Sequence, residues 1–271
     1  MTATEWTARQ TARALRMPTA QDDKYSRGVV GMRTGSARYP GAAVLGVEAA
    51  WRAGTGMVRY LGPERAQDLV LRRRPETVTA NGRVQAWVIG SGTDAAERDA
   101  RETAALHGVL RGEEPVVVDA GALDLVAGSA AASRAPVIVT PHARELDRLR
   151  ALLGMPAVAA DADEDGRIAA ARETAEAIGG VVLLKGAVTL VAAAGGDVRR
   201  VESGTPWLAT AGTGDVLGGA VGAVVAGAVA DGRRDLDDLA DAAAAAAWLH
   251  GAAGSAAAAR HGGRGGPITA L

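Results

Sequence analysis

The sequence predicts an α/β protein, with an open, mostly parallel central sheet flanked by helices on both faces. Short β-branched runs alternate along the chain with longer alanine-rich segments, an order typical of right-handed βαβ units. Several of these runs are continuously apolar, as expected of strands covered on both sides. A hydrophobic fraction of 48% in 271 residues is enough for the core of one large domain.

Strands and helices are predicted in alternation. The strands are expected over residues 56–61, 86–89, 115–118, 136–139, 181–184 and 188–192. The helices are expected over residues 41–53, 94–110, 142–153, 164–178, 215–229 and 236–260. Since neither a linker nor an internal repeat interrupts this order, residues 1–271 are predicted to form a single domain.

Composition argues against several classes of protein. The formal net charge of −1 disfavours a nucleic-acid binder, which usually carries a clear positive excess. Cysteine is absent, so disulfides, thiolate metal sites and cysteine nucleophiles are excluded. Residues 1–20 are too polar for a signal peptide, and the most apolar run, 216–230, contains four glycines and is short for a bilayer. We therefore expect a cytoplasmic protein with no nucleic-acid or membrane partner.

Polar and small residues follow four of the predicted strands. They are Gly90-Ser91-Gly92, Asp119-Ala120-Gly121, Thr140-Pro141-His142 and Lys185-Gly186. In open α/β sheets, ligands bind outside the carboxyl ends of the strands. The four sets are therefore expected along one edge of the sheet, facing Asp215.

The segment before Asp215 predicts an anion site. Gly212, Thr213 and Gly214 can point main-chain N–H groups at a phosphate, and a helix beginning at Asp215 would add its positive end. The purely structural alternative is a helix start with Asp215 as N-cap, but a cap alone does not require Gly-Thr-Gly before it. We interpret Asp215 as a reactive carboxylate beside a phosphate.

The segment Lys185–Thr189 joins two predicted strands. It is either a plain hairpin turn, with unusual backbone angles at Gly186, or a nucleotide-phosphate loop in which Lys185 neutralises charge.

At the next junction, Thr140 is expected to cap a helix, with Pro141 in its first turn and Glu145 neutralising its dipole. His142 is left without a structural need, which favours a ligand contact. For Asp119, both a contact with magnesium-bound water and a helix cap remain open.

Two glycine-containing segments suggest close approach of a ligand. The stretch from Gly90 to Gly92 lacks the Gly-x-Gly-x-x-Gly spacing of a Rossmann NAD site. Residues 35–43 form either an ordinary loop before a helix or a wall over the substrate, with Ala42 and Ala43 small enough for a planar ring to lie against them.

Together these segments resemble the ADP-dependent NAD(P)H-hydrate dehydratases of the ribokinase-like superfamily. The resemblance covers about residues 22–254. Its motifs are Lys24-Tyr25-Ser26-Arg27-Gly28, Tyr39-Pro40-Gly41-Ala42-Ala43, Val88-Ile89-Gly90-Ser91-Gly92, Val118-Asp119-Ala120, Thr140-Pro141-His142 with Glu145, Lys185-Gly186-Ala187-Val188-Thr189 and Gly212-Thr213-Gly214-Asp215.

The resemblance implies a ribokinase-like fold and the repair of hydrated NADH or NADPH (NADHX or NADPHX), with ADP converted to AMP and phosphate in the presence of Mg²⁺. It implies Asp215 as the catalytic base and the amides of Gly212, Thr213 and Gly214 as the phosphoryl site. ADP would contact Lys185, Gly186, Ala187, Val188, Thr189 and Gly214. The hydrated dinucleotide would contact Ala42, Gly92, His142 and Asp215.

Some expectations follow from the family's usual organisation. The residues before Lys24 are too few for the fused epimerase domain of many bacterial members, so a separate NAD(P)H-hydrate epimerase is expected as partner. A homo-oligomer is also expected. Trp207 departs from the family's pattern and is expected to alter how the nucleotide is covered. A ribokinase-like kinase for a vitamin precursor such as hydroxyethylthiazole remains the alternative enzyme, and a silent nucleotide-binding regulator is the alternative from another class.

Overall fold

A nine-stranded sheet forms the centre of the described part of the chain, which comprises residues 3–129, 135–262 and 265–270 of a computed structural model. Its strands are β1 (Thr4–Glu5), β2 (Val29–Arg33), β3 (Met57–Tyr60), β4 (Ala86–Ile89), β5 (Val116–Val118), β6 (Val137–Val139), β7 (Val181–Leu184), β8 (Thr189–Ala193) and β9 (Val198–Val201). Their order across the sheet is β1-β9-β8-β7-β6-β5-β4-β2-β3. Every neighbouring pair is parallel except β7–β8 and β8–β9, which confirms the predicted mostly parallel sheet.

Helices cover both faces of this sheet. The described α-helices are α1 (Ala8–Ala14), α2 (Pro40–Arg52), α3 (Glu64–Arg73), α4 (Ala100–Leu110), α5 (Leu123–Ser129), α6 (Ala143–Leu152), α7 (Glu164–Ile178), α8 (Thr213–Ala230) and α9 (Leu236–Ala259). One core joins α1, α2, α3, α8 and α9 to one side of the strands. A second core joins α4, α5, α6 and α7 to the other side. Along β5, Val117 faces the first core while Val116 and Val118 face the second, as the period of two in a strand requires.

All six predicted strands are confirmed with small shifts of their ends, but the sequence analysis missed β1, β2 and β9. The strand β2 is central, between β3 and β4, and its apolar run is interrupted by Gly31. That glycine has a packing reason, because a methyl group on it would lie 2.5 Å from the Trp87 ring. Helices α1, α3 and α5 were also missed.

The single helix predicted over residues 94–110 is wrong over residues 94–99. Asp94 caps a short 3₁₀ turn, Ala95–Glu97, and the chain then extends before α4 begins. Asp99 caps α4 by accepting a hydrogen bond of 2.7 Å from the main-chain N–H of Glu102. Two N-capping aspartates five residues apart therefore divide the segment.

The helices α2 and α8 pack with their backbones in contact. A methyl group on Gly219 of α8 would overlap the carbonyl group of Gly46 on α2. Helix α8 is long and apolar enough to span a membrane by length and composition, yet 72% of it is buried inside the protein. Its position between α2, α9 and the sheet is that of a core helix.

Candidate active site

Asp119, directly after β5, lies at the centre of a hydrogen-bonded cluster at the carboxyl edge of the sheet. It is only 4% exposed. Its Oδ2 accepts a hydrogen bond of 3.0 Å from Ser91 Oγ, and its Oδ1 accepts from Thr140 Oγ1 at 2.8 Å and from Lys185 Nζ at 2.9 Å. Four neighbouring strands thus contribute one residue each. Of its two predicted roles, the helix cap is wrong, because Asp119 makes no side-chain capping bond.

Lys185 is the cation of this cluster. Besides Asp119, its Nζ lies 3.6 Å from Oε2 of Glu145. Burial acts to lower the pKa of Lys185, but the two carboxylates outweigh it and the pKa is raised. A methyl group on Gly214 would lie 3.8 Å from the same Nζ, so the ammonium group faces the first turn of α8.

The first turn of α8 begins two residues earlier than predicted. The N-cap is Gly212, with φ of +90° and no side-chain capping bond, and Asp215 is the third residue of the helix. The interpretation of Asp215 as a possible N-cap is therefore wrong. Thr213 Oγ1 donates hydrogen bonds to the carbonyl groups of Leu208 and Thr210, both at 2.8 Å. The main-chain N–H of Thr213 donates to the carbonyl group of Thr210 at 3.3 Å. The other N–H groups in the first turn of a helix have no partner within it, so this uncapped end has the features of an anion site.

Asp215 is held in a form suited to proton transfer. Burial raises its pKa to about 6, the nearby Asp119 adds to the rise, and Lys185 opposes it. A carboxylate with a pKa near the working pH is an effective general base. The raised pKa and the adjoining anion site together support the predicted reactive role of Asp215.

A pocket of about 650 Å³ opens beside this helix end. It brings together seven of the predicted site residues, of which six are His142, Lys185, Gly186, Ala187, Thr189 and Gly214. Thr213 also lines it. The carbonyl group of Val188, by contrast, accepts a hydrogen bond of 2.9 Å from Arg167 Nη2. The hairpin alternative is also realised, since β7 and β8 are antiparallel neighbours.

Gly186 lies close to Arg167, but this contact does not by itself require glycine, because the Nη2 atom is the far end of a flexible side chain. The φ of Gly186 is outside the left-handed region, so the expected unusual backbone angle is wrong, and a methyl group there would lie 2.6 Å from Arg167 Nη2.

His142 has a structural role that the sequence analysis missed. It is the N-cap of α6: its Nδ1 accepts from the main-chain N–H of Glu145 at 3.2 Å, and Glu145 Oε2 accepts from the main-chain N–H of His142 at 2.8 Å. This capping box replaces the predicted cap at Thr140, whose hydroxyl group bonds Asp119 instead. The imidazole remains half exposed and lines the same pocket as Lys185.

Ala42 and Gly92 meet on the other side of the site. Gly92 has φ of +66°, and a methyl group on it would overlap Cβ of Ala42 and lie 3.1 Å from the carbonyl oxygen of Tyr39. Ala42 is in the first turn of α2. The two residues are therefore in contact, in a mostly buried patch that we call the Ala42–Gly92 surface. His142 lines the pocket beside Lys185.

The sequence analysis also missed His250 on α9, which lines the pocket. Burial lowers its pKa, opposed in part by a hydrogen bond with the main chain of Thr213. The only available signal was a histidine in an otherwise alanine-rich helix. The segment after β9 was missed as well, including Ser203, Gly204 and Thr205.

The residues fit a magnesium ion that arrives with a nucleotide. Within residues 3–129, 135–262 and 265–270, no three His, Cys, Asp or Glu side chains are grouped as a metal site. Both oxygens of Asp119 already accept hydrogen bonds. Mg²⁺ commonly keeps several waters and binds through substrate phosphates, and the uncapped end of α8 beside Lys185 can receive such phosphates.

Comparison with known proteins finds consistent similarity. A sequence model of the family described as NAD(P)H-hydrate dehydratase matches residues 30–270. The bifunctional NAD(P)H-hydrate repair enzyme Nnr of Mycobacterium tuberculosis is 45% identical over 228 residues, which are 80% of this chain and 44% of that protein. The chain thus spans less than half the length of this curated relative.

Two further proteins match over most of their length. The ADP-dependent (S)-NAD(P)H-hydrate dehydratase of Neisseria meningitidis is 36% identical over 261 residues, which cover 89% of this chain and 82% of that protein. The crystal structure of the ADP/ATP-dependent NAD(P)H-hydrate dehydratase of Bacillus subtilis, co-crystallised with ATP and Mg²⁺, matches with a TM-score of 0.75 and 27% identity. That match covers 93% of this chain and 88% of the other.

Proposed function

Because the chain belongs to the NAD(P)H-hydrate dehydratase family and has the ribokinase-like fold that its motifs predicted, we propose that it dehydrates NADHX and NADPHX with ADP as co-substrate. The products are NADH or NADPH, AMP and phosphate. The observation that carries the proposal is the position of Asp215. It combines a raised pKa with a place at the anion-binding end of α8, next to the Lys185 pocket.

The reaction divides into phosphoryl transfer and elimination. The hydroxyl oxygen of the hydrate attacks the terminal phosphorus of ADP, and the bond from that phosphorus to its bridging oxygen breaks to release AMP. Asp215 takes the hydroxyl proton. Phosphate then leaves the ring carbon, the neighbouring ring carbon gives up a proton, and the ring double bond is restored. Hydroxide would be a poor leaving group, whereas phosphate is a good one.

The residues of the pocket suit the nucleotide. Lys185, with Gly186, Ala187, Val188 and Thr189, would contact ADP. The main-chain amides of Gly212, Thr213 and Gly214 would hold the transferring phosphoryl group. Charge is then neutralised by an ammonium group and by helix N–H groups that require no rearrangement during the reaction. Magnesium, bound with the nucleotide, would supply further neutralisation of the phosphate charge.

The surface formed by Ala42 and Gly92 suits a planar ring, because neither residue carries more than a methyl group. With Asp215 it would hold the hydrated nicotinamide. His142 lines the pocket beside Lys185, and we propose that it contacts the dinucleotide where its ring meets the transferring phosphate.

The kinase alternative uses the same base and has less support. A kinase for a vitamin precursor would transfer phosphate to a hydroxyl group and release a stable ester. The relatives that share 36–45% identity with this chain are named for hydrate repair or hydrate dehydration. The silent regulator has less support still, because Asp215 and Lys185 are both present and close to the anion site.

The test is recovery of the reduced-nicotinamide absorbance when NADHX or NADPHX is incubated with the protein, Mg²⁺ and either ADP or ATP. We expect recovery that depends on the nucleotide, with AMP formed from ADP in equal amount. Recovery with neither nucleotide would remove the dehydratase proposal. A phosphate ester that accumulates without NADH would favour the kinase.

We also propose the setting in which the chain acts. An NAD(P)H-hydrate epimerase would supply the reactive epimer, as a partner of the kind that the name of the bifunctional Mycobacterium relative suggests. The absence of cysteine and a dinucleotide substrate support a cytoplasmic place of action. A homo-oligomer is our expectation for the assembly.

A further inference from the structure

A second groove, of about 640 Å³, shares no lining residue with the pocket beside Lys185, which we call the nucleotide pocket. We call it the α4 groove. One wall contains Gly35, Ser36 and Ala37, and the other wall contains Thr93 and the start of α4 with Arg101. Its volume is within the range of small-molecule sites in proteins.

The α4 groove is continuous with the Ala42–Gly92 surface. The Cα atom of Gly35 is 3.3 Å from a methyl group built on Gly92, and the main-chain N–H of Gly35 donates a hydrogen bond of 2.7 Å to the carbonyl group of Ser91. Thr93, which follows Gly92 directly, lines the groove. A molecule lying on Ala42 and Gly92 can therefore extend into it.

The substrate needs such an extension, an argument that rests on the proposed function. In one turnover the pocket beside Lys185 is filled by ADP, while the hydrated ring must reach Asp215. The remaining half of the dinucleotide, an adenosine joined through a pyrophosphate, then requires a cavity on the other side of the ring. The α4 groove opens at that place.

Three arginine side chains line the groove, and two of them are already paired with other groups. Arg33 is held by Glu102 through hydrogen bonds of 3.2 and 2.6 Å. Arg98 is held by Asp124 and by the carbonyl group of Gly121. Arg101 is exposed and makes no ion pair or side-chain hydrogen bond with the residues that the structure describes.

Four of the five carboxylates that line the groove are also engaged; the fifth, Glu64 at the start of α3, makes no ion pair or side-chain hydrogen bond within the described residues. Asp94 and Asp99 cap the 3₁₀ turn and α4, Glu97 pairs with Arg38, and Glu102 pairs with Arg33. The guanidinium group of Arg101 is thus a cation in the groove wall that is free to meet a ligand anion. A guanidinium group can bind a phosphate group through two parallel hydrogen bonds.

We propose that the α4 groove binds the adenosine half of the dinucleotide and that Arg101 binds the 2′-phosphate that distinguishes NADPHX from NADHX. Arg101 is then a specificity-determining residue. It is not part of the catalytic machinery, because it lies on α4, away from Asp215 and the nucleotide pocket.

The test uses two probes that lack nicotinamide, ADP-ribose and 2′-phospho-ADP-ribose, titrated into the protein by calorimetry with the nucleotide pocket saturated by ADP. We expect the 2′-phosphorylated probe to bind about tenfold more tightly, as one hydrogen-bonded charge pair allows. In Arg101→Gln this ratio should fall to about one, with ADP-ribose affinity unchanged. Ala37→Trp should fill the groove and abolish binding of both probes while ADP still binds.

The matched control is Arg148→Gln. Arg148 lines a neighbouring groove that also reaches Thr93, and its loss should leave the ratio unchanged. If Arg148→Gln removes the ratio instead, or if neither probe binds, or if Ala37→Trp binds both normally, the proposal is overturned. The probes undergo no reaction, so these results stand whether or not the protein turns over hydrated NADH.

Discussion

Lys185 donates a hydrogen bond of 2.9 Å to Oδ1 of Asp119, so the cation of the pocket that we propose for the nucleotide is partly compensated before any phosphate arrives. The second carboxylate near it, Glu145 at 3.6 Å, strengthens this compensation. A bound nucleotide must therefore share the ammonium group with two carboxylates. Accompanying Mg²⁺ would reduce the resulting repulsion, which explains why the nucleotide should bind as its magnesium complex.

The first prediction concerns Lys185→Met. We expect ADP affinity to fall more than tenfold and the free energy of unfolding to fall by about 2–4 kcal/mol, because Asp119 is left buried without its cation. Adding Asp119→Asn should recover part of the stability and none of the ADP affinity. Thermal melts and ADP titration measure the two effects. Lys24, exposed and the only other lysine of the chain, provides the control Lys24→Met, which should change neither.

The second prediction concerns Asp215→Asn. Turnover should be lost while ADP still binds, since the amide cannot accept the proton. An Asp215→Asn variant that retains turnover would remove this residue from the mechanism. The same change at Asp238 is a matched control, because Asp238 is also the third residue of its helix, α9. Asp238→Asn should remain active.

The same Asp215→Asn variant should also be more stable at neutral pH. The folded-state pKa of Asp215 is raised to about 6 from an ordinary value of 3.8. Ionised Asp215 therefore costs the native state stability, progressively between about pH 4 and 6 and fully above pH 6. We expect a gain of about 1–3 kcal/mol at pH 7.5 and almost none at pH 4, measured by denaturant unfolding. An equal gain at both pH values would contradict the raised pKa.

The pH dependence of catalysis is a separate prediction. Asp215 must be ionised to accept a proton, so kcat/KM should fall tenfold per pH unit below about pH 6. Asp119→Asn removes a charge that raises this pKa, and the acid limb should move to lower pH. Rates measured with fresh hydrate between pH 5 and 8 test both statements, and an unmoved limb in Asp119→Asn would refute the electrostatic role of Asp119.

For His142, two substitutions separate capping from ligand contact. His142→Ala should destabilise the protein by about 1 kcal/mol, because α6 loses its N-cap. His142→Asn replaces the cap and should restore the stability. If the imidazole contacts the dinucleotide, both variants should raise KM for the hydrate to a similar extent. Normal KM in His142→Asn would leave His142 with the structural role alone.

The close contact between Ala42 and Gly92 can be tested by substituting Gly92. Gly92→Ala should destabilise by about 2–4 kcal/mol, because left-handed backbone is unfavourable for alanine and the methyl group meets Ala42. Gly154 has a similar φ, +72°, with open space around it, so Gly154→Ala isolates the backbone effect, about 1–2 kcal/mol. Ala42→Gly should rescue part of the remainder in the double variant. Chemical denaturation measures the free energy of unfolding of the unchanged protein, the two glycine variants and the double variant.

The sequence predicts which residues lie at the carboxyl edge of the sheet, but it does not predict the hydrogen bonds between them. Polar residues after apolar strands predicted that Ser91, Asp119 and Lys185 would lie together, because parallel strands end at a common edge. Their hydrogen bonds join residues 28 and 66 positions apart, which no local pattern reveals.

Some local sequence patterns are compatible with more than one helix cap, and only the three-dimensional structure shows which residue is used. Thr140 and His142 can each cap α6, and the structure uses His142. The sequence analysis begins α8 at Asp215, whereas the N-cap is Gly212, whose left-handed backbone conformation is open to glycine. The central strand β2 was missed because Gly31, which packs against the Trp87 ring, interrupts its apolar run.

The backbone contact between Gly46 and Gly219 has a consequence for the geometry of the reaction. Gly46 follows Ala42 by one helical turn, and Gly219 follows Asp215 by one turn. The helix ends that carry Ala42 and Asp215 are therefore held at a fixed spacing by main-chain atoms. No side-chain rotamer can adjust that spacing. A single methyl group added at Gly219 would widen it and misalign the two reactants, even with every residue that touches them intact.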